Sequence, residues 1–441
     1  MSALFRPSLR FEFIAPENGA AIQREDAKAQ RADFLTIAWM DCRPPISSGS
    51  ESSSQISPTS NHPVYPRLCG WFLGFSPRSA IVGVMSGETP SPRGRGAANN
   101  PGNRFVTLHL ERDSDWDPTE DPAPATVFLR DHSKSIINYN DSPDIGFDAS
   151  INPYRGCEHG CIYCYARPTH EYLGFSAGLD FESRIMVKED APELLRKELS
   201  SPRWKPQVIA MSGVTDCYQP VERRLKLTRR CLEVLAEFRN PVVIVTKNHL
   251  VTRDVDVLHK LAQHNAVAVC ISVTSLDSSL ASKLEPRASL PAHRLAAIRT
   301  LATAEIPVTV LMAPVIPGLT DHEMPAILEA ARAAGASRAG FVALRLPHGV
   351  GPLFEAWLKE HYPERAEKVL GRIRALRGGR LNDPRFGSRM RGEGVFADQL
   401  EQMFRVASRK AGFAERRTEL SIAAFRVPSS ALENRQKIFP F

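Results

Sequence analysis

From Phe147 to Leu344 short β-branched runs alternate with amphipathic stretches, and this alternation limits the fold more than any other feature of the chain. The apolar runs are Phe147–Ile151, Gln207–Ser212, Pro241–Thr246, Val267–Val273, Pro307–Ala313 and Ala339–Leu344. Asp190 is placed to N-cap a helix with Pro192 in its first turn and Leu194, Leu195 and Leu199 on one face. Leu225, Leu232, Leu235 and Phe238 stripe a second helix, which Pro241 is expected to end. Val255–Gln263, Pro291–Ala304 and Glu323–Ala334 complete the helical set. Strand followed by helix, six times over, predicts an α/β fold with a parallel sheet and helices outside. Six units in about 200 residues fall short of an eight-unit barrel. A partial (β/α)6 barrel and a doubly wound sheet both fit.

The flanks read differently. Pro44–Pro63 is Ser-rich, and Gly87–Gly102 is rich in Gly, Pro and Arg. Such compositions bury too little apolar surface to offset the entropy of ordering. Residues 1–100 are therefore expected to be a disordered extension, or one mis-assigned upstream of a true start at Met85. Within it, Arg93-Gly94-Arg95-Gly96-Ala97 reads as a basic flexible arm. Residues 101–146 form a lead-in, 147–346 the core, and 347–441 a helical basic extension. Its helices are expected at Leu353–Leu358, Ala366–Leu376 and Ala397–Ala411.

With 43% hydrophobic and 24% charged residues, collagen, wholesale disorder and a membrane bundle are excluded. No run approaches 18 apolar residues, so no membrane span is expected. Glu12, Glu17, Glu25 and Asp26 interrupt the start of the chain, which argues against a secretory signal. The net charge of +7 is localised: Leu346–Phe441 holds 18 Lys and Arg against 11 Asp and Glu, and the remainder balances. Arg372, Arg374, Arg377, Arg380, Arg385, Arg389 and Arg391 face only Asp383 within their own stretch. Such a stripe suits DNA or RNA, because each phosphate contact releases condensed counterions. Its plainer reading is a solvated surface.

The chain has eight cysteines, too sparse for a disulfide scaffold, and a reducing cytosol is the expected setting. Three of them, Cys157, Cys161 and Cys164, sit at C-x3-C-x2-C spacing after the first candidate strand. Thiolates suit iron–sulfur clusters or zinc. Gly156 and Gly160 let a loop wrap closely around such a group. A closed zinc site needs four ligands, and only three thiols converge here. His159 lies inside the first spacing, where loop geometry makes a fourth ligand awkward. Three thiolates around a four-iron cluster leave one iron open to a substrate or cofactor.

This segment resembles the radical S-adenosylmethionine (SAM) superfamily, whose fingerprint is the same spacing, with an aromatic such as Tyr163 before the third cysteine. The resemblance spans Phe147 to Leu346 and implies a partial barrel of six β/α units. Within the superfamily the chain looks similar to the spore photoproduct lyase group of DNA-repair-type enzymes. The shared pieces are Cys161-Ile162-Tyr163-Cys164-Tyr165, Thr215-Asp216, Thr246-Lys247 and Met312-Ala313-Pro314. The resemblance implies a [4Fe-4S] cluster on Cys157, Cys161 and Cys164, and SAM chelated to the open iron. It also implies a reductant such as flavodoxin or ferredoxin. An electron from the cluster would cleave SAM to methionine and a 5′-deoxyadenosyl radical, which abstracts hydrogen from an inert C–H bond.

The same resemblance assigns further roles. Ser212, Gly213 and Thr215 would contact the methionyl end of SAM, and Lys247 its carboxylate. Ser272 and Thr274 would bond the ribose, and Ala313 and Pro314 would line the adenine slot. The plain reading of each strand-end Ser or Thr is a turn former; that of Lys247 is a surface lysine. Tyr163 and Tyr165 match a tyrosine pair proposed to relay a hydrogen atom; otherwise they shield the cluster. Photoproduct lyases return hydrogen from an extra cysteine, and its place here is taken by Gly213. Cys217, four residues on, is the candidate replacement, with a small buried hydrophobe as its alternative. Cys231 and Cys270 read as packing residues, and Cys42 and Cys69 receive no role. The alternative substrates are a peptide, tRNA or a small molecule, and the alternative to an enzyme is a non-catalytic metal-binding protein.

Overall fold

The computed structural model describes residues 91–106, 125–413 and 419–429. The Ser-rich run, Met85, Cys42 and Cys69 lie outside the described residues. Ten strands are described: β1 Val127–Arg130, β2 Ile137–Tyr139, β3 Ala149–Ile151, β4 Tyr154–Arg155, β5 Arg184–Val187, β6 Ile209–Met211, β7 Val242–Thr246, β8 Val267–Ser272, β9 Val308–Val315 and β10 Arg338–Ala343. The main sheet has the order β10-β9-β8-β7-β6-β3-β2. Its six strands from β3 to β10 are parallel, and β2 joins the edge antiparallel. Strand follows strand in chain order with no reversal. A doubly wound sheet needs a reversal, so the topology is that of a partial barrel.

All six expected strands form, each trimmed or shifted by a few residues. β8 is buried along its whole length, and its near-continuous apolar run is what a parallel sheet covered on both faces demands. Between the strands lie α1 Ala191–Leu199, α2 Leu227–Phe238, α3 Val255–Ala262, α4 Pro291–Thr303 and α5 Met324–Ala333. Asp190 precedes α1 but makes no side-chain cap; its carboxylate meets Arg130 instead. α2 stops before Pro241, because Arg239 turns left-handed at φ 52° and closes the helix. The main core packs Leu232, Leu235 and Phe238 of α2 against Met211, Ile244 and Val269 of the sheet.

A second sheet of order β1-β5-β4 sits beside the barrel, and β4 leads directly into Cys157. These strands have only two to four residues, too few to show periodicity in the sequence.

The C-terminal helices α6 Val350–His361, α7 Pro363–Leu376 and α8 Val395–Lys410 pack onto the barrel. Leu353, Phe354, Trp357, Val369 and Ile373 share a core with Cys161, Ile162 and Tyr163. Ala397, Leu400 and Ala407 join the main core. This packing consumes much of the arginine stripe. Arg377 is buried and donates to the Leu344 carbonyl at 2.8 Å. Arg389 is buried against Asp144 at 2.6 Å. Arg372 pairs with Asp321 at 3.2 Å, Arg385 with Asp383 at 2.9 Å, and Arg391 with Glu401 at 3.7 Å. The stripe is thus no continuous basic face, because Asp144, Asp321 and Glu401 from elsewhere in the chain join Asp383 in pairing with it. Another expectation fails in the same way. Arg93–Ala97 is no flexible arm: Arg95, Gly96 and Ala97 are buried against the cysteine loop.

Candidate functional site

The cysteine loop is shaped by its glycines and by buried charge. Gly156 and Gly160 adopt φ +79° and +66°, and a Cβ on Gly160 would lie 2.7 Å from a Glu182 oxygen. Arg167, fully buried, donates to the Cys161 carbonyl at 3.0 Å and the Gly160 carbonyl at 3.3 Å, and pairs with Glu182. Ile162 N–H donates to the Leu284 carbonyl at 3.0 Å. Glu158 accepts from Val221 N–H at 2.7 Å and pairs with Arg287 at 3.0 Å. These contacts fix the loop, and its three cysteines face one cavity.

Cys157, Cys161 and Cys164 are free thiols lining a cavity of about 880 Å³, its mouth included. Its other walls are the C-terminal ends of β6 to β10, where an α/β barrel places its chemistry. Among the described residues no three His, Cys, Asp or Glu side chains are spaced for a single metal ion. Three thiols spread along one cavity wall fit a multi-iron cluster, since each thiolate binds a different iron. Burial pushes the Cys161 and Cys164 thiols up, Cys164 to about 11, so loading a metal there must release protons.

Ser212, Thr215, Lys247, Ser272, Ala313, Pro314, Tyr163 and Tyr165 line the same cavity. Lys247 Nζ donates to Ser272 Oγ at 2.6 Å and to the Ala313 carbonyl at 2.8 Å, and lies 3.4 Å from Glu285. It is therefore a framed cation of the cavity wall and no surface lysine. Ser212 holds φ 81°, an uncommon backbone for a side chain, while its Oγ accepts from Cys217 N–H at 2.7 Å. The Tyr165 hydroxyl donates to the Gly213 carbonyl.

Three expected residues are elsewhere. Gly213 lies behind the wall, its N–H donating to Asn152 Oδ1 at 2.9 Å. Thr274 is buried and donates to Glu285 at 2.7 Å. Cys217 is fully buried in the main core with Tyr218, Cys231 and Leu232, outside the cavity lining, so the hydrogen-donor role does not stand. Cys270 packs with Val243 and Ala268, as expected.

The site also holds residues that sequence reasoning passed over. His159 Nδ1 lies 3.3 Å from Asp216, and Nε2 lies 3.1 Å from Asn248 Nδ2. Asn248 Oδ1 accepts from Leu250 N–H. Burial pulls the His159 imidazole down, but the facing Asp216 carboxylate and Cys157 outweigh it and raise it to about 10. Glu285, itself fully buried, gathers Arg294, Lys247, Thr274 and the Tyr163 hydroxyl in one network. Arg345 lies with its guanidinium carbon 5.8 Å from the Tyr165 ring centre. Only Thr215-Asp216 carried a signal; the other contacts are long-range pairings that no local spacing encodes.

Residues 151–331 match the family model of the Radical SAM superfamily. The chain belongs to the radical SAM superfamily. An uncharacterized protein of Mycobacterium tuberculosis is 36% identical over 234 residues, covering 52% of this chain and 69% of that one. An uncharacterized protein of Methanocaldococcus jannaschii is 31% identical over 191 residues, covering 43% of this chain and 68% of that one. Among solved structures, a spore photoproduct lyase complexed with dinucleoside spore photoproduct aligns at TM-score 0.48 and 17% identity. That alignment covers 66% of this chain and 82% of the lyase. Radical SAM proteins use a [4Fe-4S] cluster and SAM. The three thiols fit the cluster, and Ser212, Thr215, Lys247, Ser272, Ala313 and Pro314 border the space beside it.

Proposed function

We propose that the protein is a [4Fe-4S]-dependent enzyme that reductively cleaves SAM and acts on a nucleic acid in a lyase-like repair reaction. The observation that carries the first half is the placement of three free thiols on one cavity with five parallel strand ends. When bound, the cluster supplies the electron that splits SAM into methionine and a 5′-deoxyadenosyl radical. The chain's own residues do the rest. Arg167 and Glu182 hold the thiol loop. Lys247 supplies positive charge beside Ser272, and apolar Leu311, Ala313 and Val342 keep water from the reacting centre.

Charge supports the nucleic-acid half. Arg380, Arg405 and Lys410 remain exposed in the basic extension. A base would have to leave its stack to reach the enclosed cavity. A second reading, a peptide, tRNA or small-molecule substrate, is favoured by Cys217, whose burial leaves it unable to return hydrogen as the lyase group does.

Two measurements test this. Anaerobically reconstituted protein should hold four irons and four labile sulfides, and lose them in a Cys157→Ala, Cys161→Ala, Cys164→Ala variant. One bound zinc would contradict the cluster. Binding to single-stranded DNA should weaken as salt rises; absence of binding at low salt favours the second reading.

A further inference from the structure

The segment buried against the cysteine loop comes from far upstream, outside residues 151–331. Ala97, fully buried, shares a core with Cys161, Ile162 and Tyr163. A Cβ on Gly96 would lie 1.8 Å from the Gly160 carbonyl oxygen, so backbone meets backbone with no room for a side chain. The N–H groups of Gly96 and Ala97 donate to the two oxygens of Glu182, each at 2.9 Å. That buried carboxylate also pairs with Arg167, which holds the Cys161 and Gly160 carbonyls. The segment then runs along the turn behind the loop. Asn99 accepts from Leu179 N–H at 3.2 Å, Asn103 donates to the Phe175 carbonyl at 2.8 Å, and Arg104 pairs with Glu171 at 2.7 Å.

We propose that residues 94–104 are a strap that holds the cysteine loop in its ligand-bearing shape, with Gly96 and Glu182 as positioning residues, so that a bound cluster is retained only while the strap is docked. Undocking would strip two N–H donors from a buried carboxylate and loosen Arg167 on the loop. By linkage, a cluster that is held by the strap must in turn hold the strap. The inference rests on reading Cys157, Cys161 and Cys164 as cluster ligands.

The test uses reconstituted full-length protein, with Gly96→Ala, Glu182→Gln and the exposed-site control Arg93→Ala. Iron lost to a chelator and bleaching of the cluster absorbance are the readouts. Gly96→Ala and Glu182→Gln should lose iron about tenfold faster than wild type, within the usual range of coupling, while far-ultraviolet circular dichroism stays unchanged and Arg93→Ala behaves as wild type. Wild-type rates in both variants would overturn the strap while leaving the cluster standing. A wild-type protein that loads no cluster would overturn both. If Gly96→Ala does not fold, limited trypsin digestion of wild type decides. Cleavage after Arg95 and Arg104 should be slower with the cluster than without it, and equal rates would overturn the proposal.

Discussion

The Lys247 ammonium sits 3.4 Å from the Glu285 carboxylate, and Glu285 in turn binds Arg294, Thr274 and the Tyr163 hydroxyl. The tyrosine between Cys161 and Cys164 is thus tied to a carboxylate that also anchors the cavity's lysine. Burial alone would raise the Glu285 carboxyl, but Arg294 and then Lys247 outweigh it and hold it well below the ordinary range. Glu285→Gln leaves the buried Arg294 without its counter-charge and should cost about 3–5 kcal/mol, read by urea unfolding. Below about 4.5 the unfolded chain takes up a proton here that the folded chain refuses, so wild-type stability falls as pH drops toward the folded value. Glu285→Gln should flatten that part of the profile; an unchanged acid slope would remove the carboxylate from this role.

Cys217 is sealed in the main core. Cys217→Ala should cost about 1–2 kcal/mol as a small cavity and leave SAM cleavage at the wild-type rate. A lost or altered radical reaction in a stably folded variant would return the thiol to the chemistry.

Lys247 donates to Ser272 and the Ala313 carbonyl and pairs ionically with Glu285, so it offers an anionic ligand charge and framing more than a free hydrogen bond. Lys247→Ala should weaken SAM binding about tenfold, or about 1.4 kcal/mol, with iron content unchanged. Calorimetric titration of cluster-loaded protein checks this, and unaltered affinity would remove the role.

The basic extension divides by burial. Arg389→Ala removes the partner of Asp144 and Ser142 and should lower the melting temperature with little effect on DNA affinity. Arg405→Glu with Lys410→Glu should do the reverse, because both are exposed on α8. Loss of DNA binding by Arg389→Ala at full stability would contradict the division.

The barrel was legible because most of its parallel strands are apolar runs followed by an amphipathic helix, as Val242–Thr246 before Val255–Ala262 illustrates. The cysteines were legible because one short loop carries all three. The strap was not: Gly-Arg-Gly composition reads as flexible, and only the meeting of Gly96 with Gly160 reveals why glycine is there. Arg377 and Arg389 looked like surface charge because their partners, the Leu344 carbonyl and Asp144, lie 33 and 245 residues away. Cys217 had no periodic neighbours to show which way it faced.

The most direct test of the account is anaerobic incubation of the reconstituted protein with dithionite and SAM. It predicts 5′-deoxyadenosine and methionine in equal amounts, absent in Cys161→Ala. A full four-iron cluster that leaves SAM intact, with single-stranded DNA present or absent, would contradict it.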